Sequence, residues 1–286
     1  MPEAPVRYVI TLFLVTATAD RTSDRNALLA ADRALAINSA AFTDSAAYLH
    51  PGAPLIRGAR NISAFLAGDT SMRNVVRTPA YADVSRDGTL GYTYGWTRST
   101  GERGKYLACW RKLSEGWRVS AYARSKPVPM ADSVPLPVPR RAANDETFGG
   151  RADPAELVRA DSAFAAMSVS QGGKAAFLAF ASEAAVALGG GGGAQMSEGR
   201  DAIAAGFDGF PAGAVLEWWP VAAEIARSGD LGCTVGEARI ASLKHYSKYL
   251  TVWKRQSDGT WKFVADGGNA RPAPTASVSG SPPPED

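Results

Sequence analysis

Two stretches of this chain are nearly the same: KYLACWRKLSEGW runs from Lys105 to Trp117, and KYLTVWKRQSDGTW from Lys248 to Trp261. Self-comparison extends the match toward the N-terminus. Asp32 in AADRALA matches Asp161 in RADSAFA, Gly58 in RGARNI matches Gly199 in EGRDAI, and Pro79 matches Pro220. LGYTYG (Leu90 to Gly95) matches LGCTVG (Leu231 to Gly236). The offset is 141 positions from Gly58 to Gly95 and reaches 144 at Trp117 and Trp261. Ordered matches over so long a unit read as tandem duplication of a whole domain, because solenoid repeats are much shorter. A length of 286 residues suits two domains, each able to bury a core.

The unmatched segments divide the chain. Residues 22–126 form the first domain and 153–271 the second. Between them, the proline-rich segment 127–152 reads as an extended linker, and the tail 272–286 reads as disordered. At the N-terminus Arg7 precedes an apolar run from Tyr8 to Val15, followed by Ala17-Thr18-Ala19. Residues 1–19 thus have the form of a secretory signal peptide, too short to span a membrane, which predicts export to the periplasm. The alternative is an ordinary buried strand or helix in a cytoplasmic protein. No later apolar run approaches membrane length.

Each unit opens with helix. Asp153-Pro154-Ala155-Glu156 reads as an N-cap, a proline at the first helical position and a capping-box glutamate. Leu157, Ala160, Phe164 and Met167 then share one helical face. A second helix is expected from Lys174 to Ala181, a strand around Ala184 to Leu188, and a short helix from Arg200 to Phe207. Strands follow around Leu216 to Ala226, Gly229 to Ile240, Lys244 to Gln256 and Thr260 to Asp266, with Ser257-Asp258-Gly259 as a hairpin turn. Helices followed by an antiparallel meander make each unit an α+β domain. Asp32 to Gly58 spans 26 positions and Asp161 to Gly199 spans 38, so the first unit lacks about a dozen residues where the second helix belongs.

Composition removes several function classes. The formal charge is +3 with scattered Lys and Arg, which argues against nucleic-acid binding. Two histidines, His50 and His245, cannot build a His-cluster metal site, and no carboxylate spacing supports another. Cys109 and Cys233 are not equivalent in the repeat, so two separate buried thiols are expected rather than a disulfide. The run Gly189 to Gly193 lacks the Lys-Ser/Thr ending of a phosphate loop and reads as a hairpin loop. The Asn61-Ile62-Ser63 sequon falls on an expected helix. No G-x-S-x-G, H-E-x-x-H or C-x-x-C motif and no cofactor signature is present.

The helix ADSAFA, the helix start EGRDAI and the hairpin YLTVWKRQSDGTWKFV together resemble the nuclear transport factor 2-like superfamily, more narrowly its SnoaL-like and DUF4440-type bacterial members. In the first unit, YLHPGAPLIRG and GYTYGWT…GKYLACWRK resemble the same family. The resemblance implies two tandem cone-shaped domains, each a curved sheet wrapped on helices with an apolar pocket at its mouth. It implies no single activity, because this fold hosts isomerases, cyclases, hydrolases, dehydratases and binding proteins. The shortened first unit would leave its cone partly open, which favours the second as the ligand-holding domain.

Strand alternation nominates the side chains. Tyr92, Tyr94 and Trp96 share a face whose counterparts are Cys233, Val235 and Glu237. Glu237 is either a pocket carboxylate or an exposed partner of Arg239. His245, Ser247, Tyr249, Thr251 and Trp253 share the next strand's face, with Tyr106 and Trp110 as counterparts of Tyr249 and Trp253. These rings are core or ligand platform, and His245 is a structural or acid–base histidine. Asp266, matched by Tyr122, is a base at the pocket mouth or a cap on the turn Gly267-Gly268-Asn269. Of Trp218-Trp219-Pro220, one Trp should be core and the other a rim or subunit contact. Asp32 and Asp161, kept mid-helix in both units, read as scaffold hydrogen-bond acceptors.

Three functions remain open. The first is binding of a small apolar or amphipathic molecule, mainly in the second domain, by Trp218, Glu237, His245, Tyr249, Trp253 and Asp266, with Tyr92, Tyr94 and Trp96 in the first. The second is a cofactor-independent isomerase, cyclase or lyase, with Glu237 or Asp266 as base and His245 or Tyr249 donating to an oxyanion. The third is a non-catalytic module in which the two domains pair, sheet on sheet, as an internal pseudo-dimer.

Overall fold

Alternation along both KYL stretches gives each strand two apolar faces, and the fold uses both. The computed structural model describes residues 21–69, 71, 74–129, 148–189 and 195–274. The signal-peptide segment 1–19, most of the linker, Gly190 to Gly193 and most of the tail lie outside the described residues.

The first unit consists of α1 (Arg21–Ala34), β1 (Phe42–Leu49), β2 (Ile56–Arg57), α2 (Ala59–Gly68), β3 (Val76–Val84), β4 (Leu90–Ser99), β5 (Glu102–Leu113) and β6 (Gly116–Arg124), with a short β7 (Val128–Pro129). The second consists of α3 (Pro154–Gln171), α4 (Gly173–Phe180), β8 (Ala181–Ala187), β9 (Ser197–Glu198), α5 (Arg200–Ala205), β10 (Glu217–Ile225), β11 (Leu231–Ile240), β12 (His245–Arg255) and β13 (Trp261–Ala270). The strand orders β2-β1-β6-β5-β4-β3 and β9-β8-β13-β12-β11-β10 are the same, and in each the pair β1–β6 or β8–β13 is parallel amid antiparallel neighbours. Both units are α+β.

The matched punctuation now has causes. Gly58 and Gly199 start α2 and α5 at φ 85° and 90°, a conformation that favours glycine. Pro79 and Pro220 sit on the edge strands β3 and β10, at register breaks where a ladder donor is not missed. Asp153 caps α3 by accepting from the Ala155 amide at 3.0 Å. The expected capping-box glutamate does otherwise: Glu156 accepts from Arg255 and Trp261. In the first unit a single 3-10 turn, Ser39–Ala41, stands where the second has α4.

Two cores, one per unit, lie between the helices and the inner face of each sheet. A third joins the outer faces of the two sheets and unites Tyr92, Leu107 and Cys109 with Cys233, Leu250 and Val252. Contacts across this seam are reciprocal. Lys254 reaches Asp83 at 2.7 Å, and Arg111 reaches Glu224, in matched positions with the units exchanged. The Arg86 amide donates to Asp230 at 3.0 Å and the Ser228 amide to Asp87 at 3.1 Å. Burial alone would raise the Asp83 carboxyl, but Lys254, Arg21 and Arg25 hold it below the usual range.

Cys109 and Cys233 form a disulfide across the seam, and the expectation of two separate thiols is corrected. In an arrangement close to two-fold, position i of one unit meets position j of the other, so inequivalent residues are the ones that touch. The exchanged counterpart of this contact is Val252 with Tyr92 (Tyr92 pairs with Cys109 on its own sheet). The bridge links residues 124 apart, a long loop to close in the unfolded chain. We therefore expect the variant C109S/C233S to lose about 2–4 kcal/mol of unfolding free energy. Thiol titration of the unreduced wild type in denaturant should find no free thiol.

Candidate functional site

Each cone is built around one buried aspartate. In the first, Tyr106 donates to Asp32 at 2.6 Å, and Trp110 donates its indole N–H to Thr93 at 2.9 Å. In the second, Tyr249 donates to Asp161 at 3.0 Å, and Trp253 donates to Thr234 at 2.9 Å. The same four residue types lock the first helix of each unit to β4–β5 or β11–β12. Burial pushes both aspartates up, against the pull of these donors.

The cones differ in what surrounds that shared frame. Asp32 also has a cation, Arg77, with Nε 3.5 Å from Oδ1. The position matching Arg77 is Trp218, whose indole N–H donates to Asp161 Oδ1 at 2.8 Å. At the parallel strand pair, the first cone places Tyr48 opposite Tyr122, with ring centroids 5.9 Å apart, and both rings are wholly buried. The second cone has Ala187 opposite Asp266 there. The tyrosines occupy space that a second helix would cover. In the second unit α4 supplies Phe177 and Phe180 instead, which pack on Phe164 at 4.8 and 5.0 Å.

Ala187 is a smaller side chain than Tyr48, and the groups near it differ in exposure. Asp266, Tyr249, Phe177 and Phe180 all keep part of their surface in solvent, whereas Tyr106 and Tyr122 keep none. Asp266 does not cap a turn, because β13 runs on to Ala270 and its side chain accepts from Thr251 on β12 at 2.6 Å. Gly267 and Gly268 are extended residues of the strand, and a Cβ at Gly268 would collide with the Lys248 carbonyl. Burial raises the Asp266 carboxyl to about 6, Thr251 opposing and the charge of Asp161 adding.

The nominated residues thus separate into two groups. Trp218, Tyr249, Trp253 and Asp266 turn into the second cone. Tyr92 and Tyr94 lie on the outer face, buried against the other unit, and Trp96 shares that side of β4, so none lines the first cone. Glu237 is likewise on the outer side of β11 and pairs with Arg271 at 3.0 Å, not with Arg239, which is held by Glu217 at 2.7 Å. His245 is exposed at the first residue of β12, remote from Asp266 along the strand. One misjudgement explains the first four, since the outer sheet face, taken as a pocket wall, is the seam, whereas His245 is simply at the exposed end of its strand. Sequence reasoning missed Ala187 and Thr234, and placed Thr251 on its face without giving it a role. Thr234 carried a signal, being shared by LGYTYG and LGCTVG, whereas Ala187 carried none.

A cavity of about 500 Å³ lies outside the cone between α3 and β10, floored by Ala165 and Ala166 and walled by Trp218 and Trp219. Its only charged lining residues, Glu217 and Arg239, neutralise each other. Among the described residues no three His, Cys, Asp or Glu side chains are grouped to hold a metal ion, and no helix is long and apolar enough to cross a membrane.

No family model and no curated protein sequence matches this chain. Solved structures similar to part of it include an NTF2-like protein of unknown function from Pseudomonas putida KT2440, at 15% identity over 41% of this chain and 84% of that one, TM-score 0.35. A ketosteroid isomerase-like protein from Erwinia carotovora atroseptica SCRI1043 is 11% identical over 40% of this chain and 93% of its own, TM-score 0.33. An NTF-2 like protein of unknown function from Shewanella oneidensis MR-1 is 15% identical over 40% and 97%, TM-score 0.34. Likenesses at these values carry no argument about activity.

The raised carboxyl has a measurable consequence. Asp266 holds its proton more tightly in the folded chain than at the ordinary value of 3.8, so stability is greatest with it protonated and falls as pH rises from 3.8 to about 6. Because part of the residue reaches solvent, we take its share of that fall as about 2 kcal/mol. D266N should shrink the fall by this amount in denaturant titrations across that range.

Proposed function

We propose that this chain is an exported, tandemly duplicated NTF2-like protein whose two domains pair as an internal pseudo-dimer. Its second cone holds a small apolar or amphipathic molecule against Asp266. The observation that carries this reading is the exchange of Tyr48–Tyr122 for Ala187–Asp266: one mouth is plugged by its own rings, and the other offers space and a reachable carboxyl. Aromatic walls with one or two polar groups are the usual make-up of a small-molecule pocket. Export is supported by the leader-like N-terminus and by the buried Cys109–Cys233 bridge, a bond that persists in oxidising compartments.

A second reading, a cofactor-independent isomerase, cyclase or lyase, is favoured by one observation. A carboxyl raised to about 6 in an aromatic cone can take and return a proton near neutral pH. Asp266 would be the base. Tyr249 already spends its proton on Asp161, which counts against it as the oxyanion donor.

Native mass spectrometry of protein isolated from the cells that make it should show a retained small mass. A187Y, which copies the first cone's plug, should abolish it. Retention in A187Y with loss in W219A would move the site to the groove between α3 and β10 and overturn the assignment to the cone.

A further inference from the structure

The charge ledger of the two cones differs by a whole cation and a whole acid. The first cone carries Asp32 with Arg77 against it, and Arg124 lies at its mouth beside His50. The second cone carries two acids, Asp161 and Asp266. Trp218 stands at the place of Arg77, and Asp266 at the place of Tyr122. The groups that act on the two carboxyls are hydroxyls, an indole and each other: Thr234, Trp218 and Tyr249 on Asp161, Thr251 and Asp161 on Asp266. Lys262, four residues before Asp266 on β13, donates to the Ala179 carbonyl at the end of α4 and lies 6.0 Å from the centroid of the Phe180 ring. Lys174, also on α4, is ion-paired outside with Asp208 at 2.5 Å.

A buried carboxylate without a cation is costly, and in the first unit the chain supplies the cation itself. Among the described residues of the second unit, neither Asp161 nor Asp266 has an ion-pair partner. The aromatic residues of this unit suit one kind of donor. Phe177, Phe180 and Tyr249 are partly exposed rings packed on its core, and ring faces attract ammonium groups as well as alkyl and aryl ones. Ala187, opposite Asp266 on the neighbouring strand, is far smaller than the Tyr48 that stands opposite Tyr122.

Resting on the assignment of the second cone as the binding site, we propose that its ligand is an amphipathic amine, whose ammonium group pairs with Asp266 and whose apolar part packs on Phe177, Phe180 and Tyr249. The neutral and anionic analogues of such a molecule lack the charge that the cone is missing. Thr251, which already donates to Asp266 Oδ1, leaves the other carboxylate oxygen for the amine.

The test is isothermal titration of the full chain at pH 7.5 with 2-phenylethylamine, 2-phenylethanol and 3-phenylpropionate. These probes share a ring and differ in the charge they carry. The amine should bind at least tenfold more tightly than the alcohol, and the acid should not bind. D266N, close in shape and at a half-buried position, should bring amine and alcohol to within about twofold of each other. D266Y, which copies the first cone, should remove both, and a single cooperative thermal melt would show that either variant is folded. Equal binding of amine and alcohol by the wild type overturns the amine assignment and leaves the cone as the site. Binding of neither probe, or amine binding that D266N leaves intact, overturns the amine assignment too. If A187Y still retains its native mass, the cone reading itself has failed.

Discussion

A sheet with apolar side chains on both faces has to cover both. In this chain each inner face is covered by helices and each outer face by the other sheet, and most of what distinguishes the protein follows from the second contact. Tyr92, Leu107 and Cys109 cannot remain in water any more than Leu250 and Val252 can. Pairing the two faces buries all of them at once. It also brings Asp83 to Lys254 and Glu224 to Arg111, so the apolar seam is flanked by ion pairs of opposite direction. The disulfide then fixes a contact that the apolar surfaces already make.

With the outer faces spent on each other, the cones are the places left for chemistry. Their frames are alike down to the hydroxyl that receives each buried indole. Their contents have gone separate ways. The unit without a second helix has the stacked pair Tyr48 and Tyr122 and sets Arg77 against Asp32. The unit with α4 has the small Ala187, a second acid at Asp266 and, among the described residues, no ion pair on either acid. Three exchanged positions and one added helix, on one scaffold, separate the two interiors.

Much of the fold was legible in the sequence. The repeat gave equivalent elements, the Asp-Pro pair gave the start of α3, and the missing dozen residues gave the absence of a helix in the first unit. Asp32 and Asp161 were readable as scaffold acceptors because both units kept them. The seam was not legible. Period-two alternation says that a strand has two faces and does not say which one meets helices, so Tyr92, Tyr94, Trp96 and Glu237 were assigned to a pocket they do not line. The disulfide was hidden by the same gap, since two-fold pairing joins positions that a repeat alignment calls inequivalent. Asp266 was legible only as a choice between a mouth carboxylate and a turn cap, because Gly267-Gly268 looks like a strand end and is in fact a close approach between β12 and β13.

The central claim is that the second cone, and not the first, is occupied. A crystal structure of the protein isolated from the cells that make it tests this most directly. The account predicts small-molecule density between Ala187, Tyr249 and Asp266, within hydrogen-bonding distance of the Asp266 carboxyl, with Tyr48 and Tyr122 still stacked in the first cone. Density in the first cone instead, or a second mouth closed by movement of Phe177 and Phe180 onto Asp266, would contradict it.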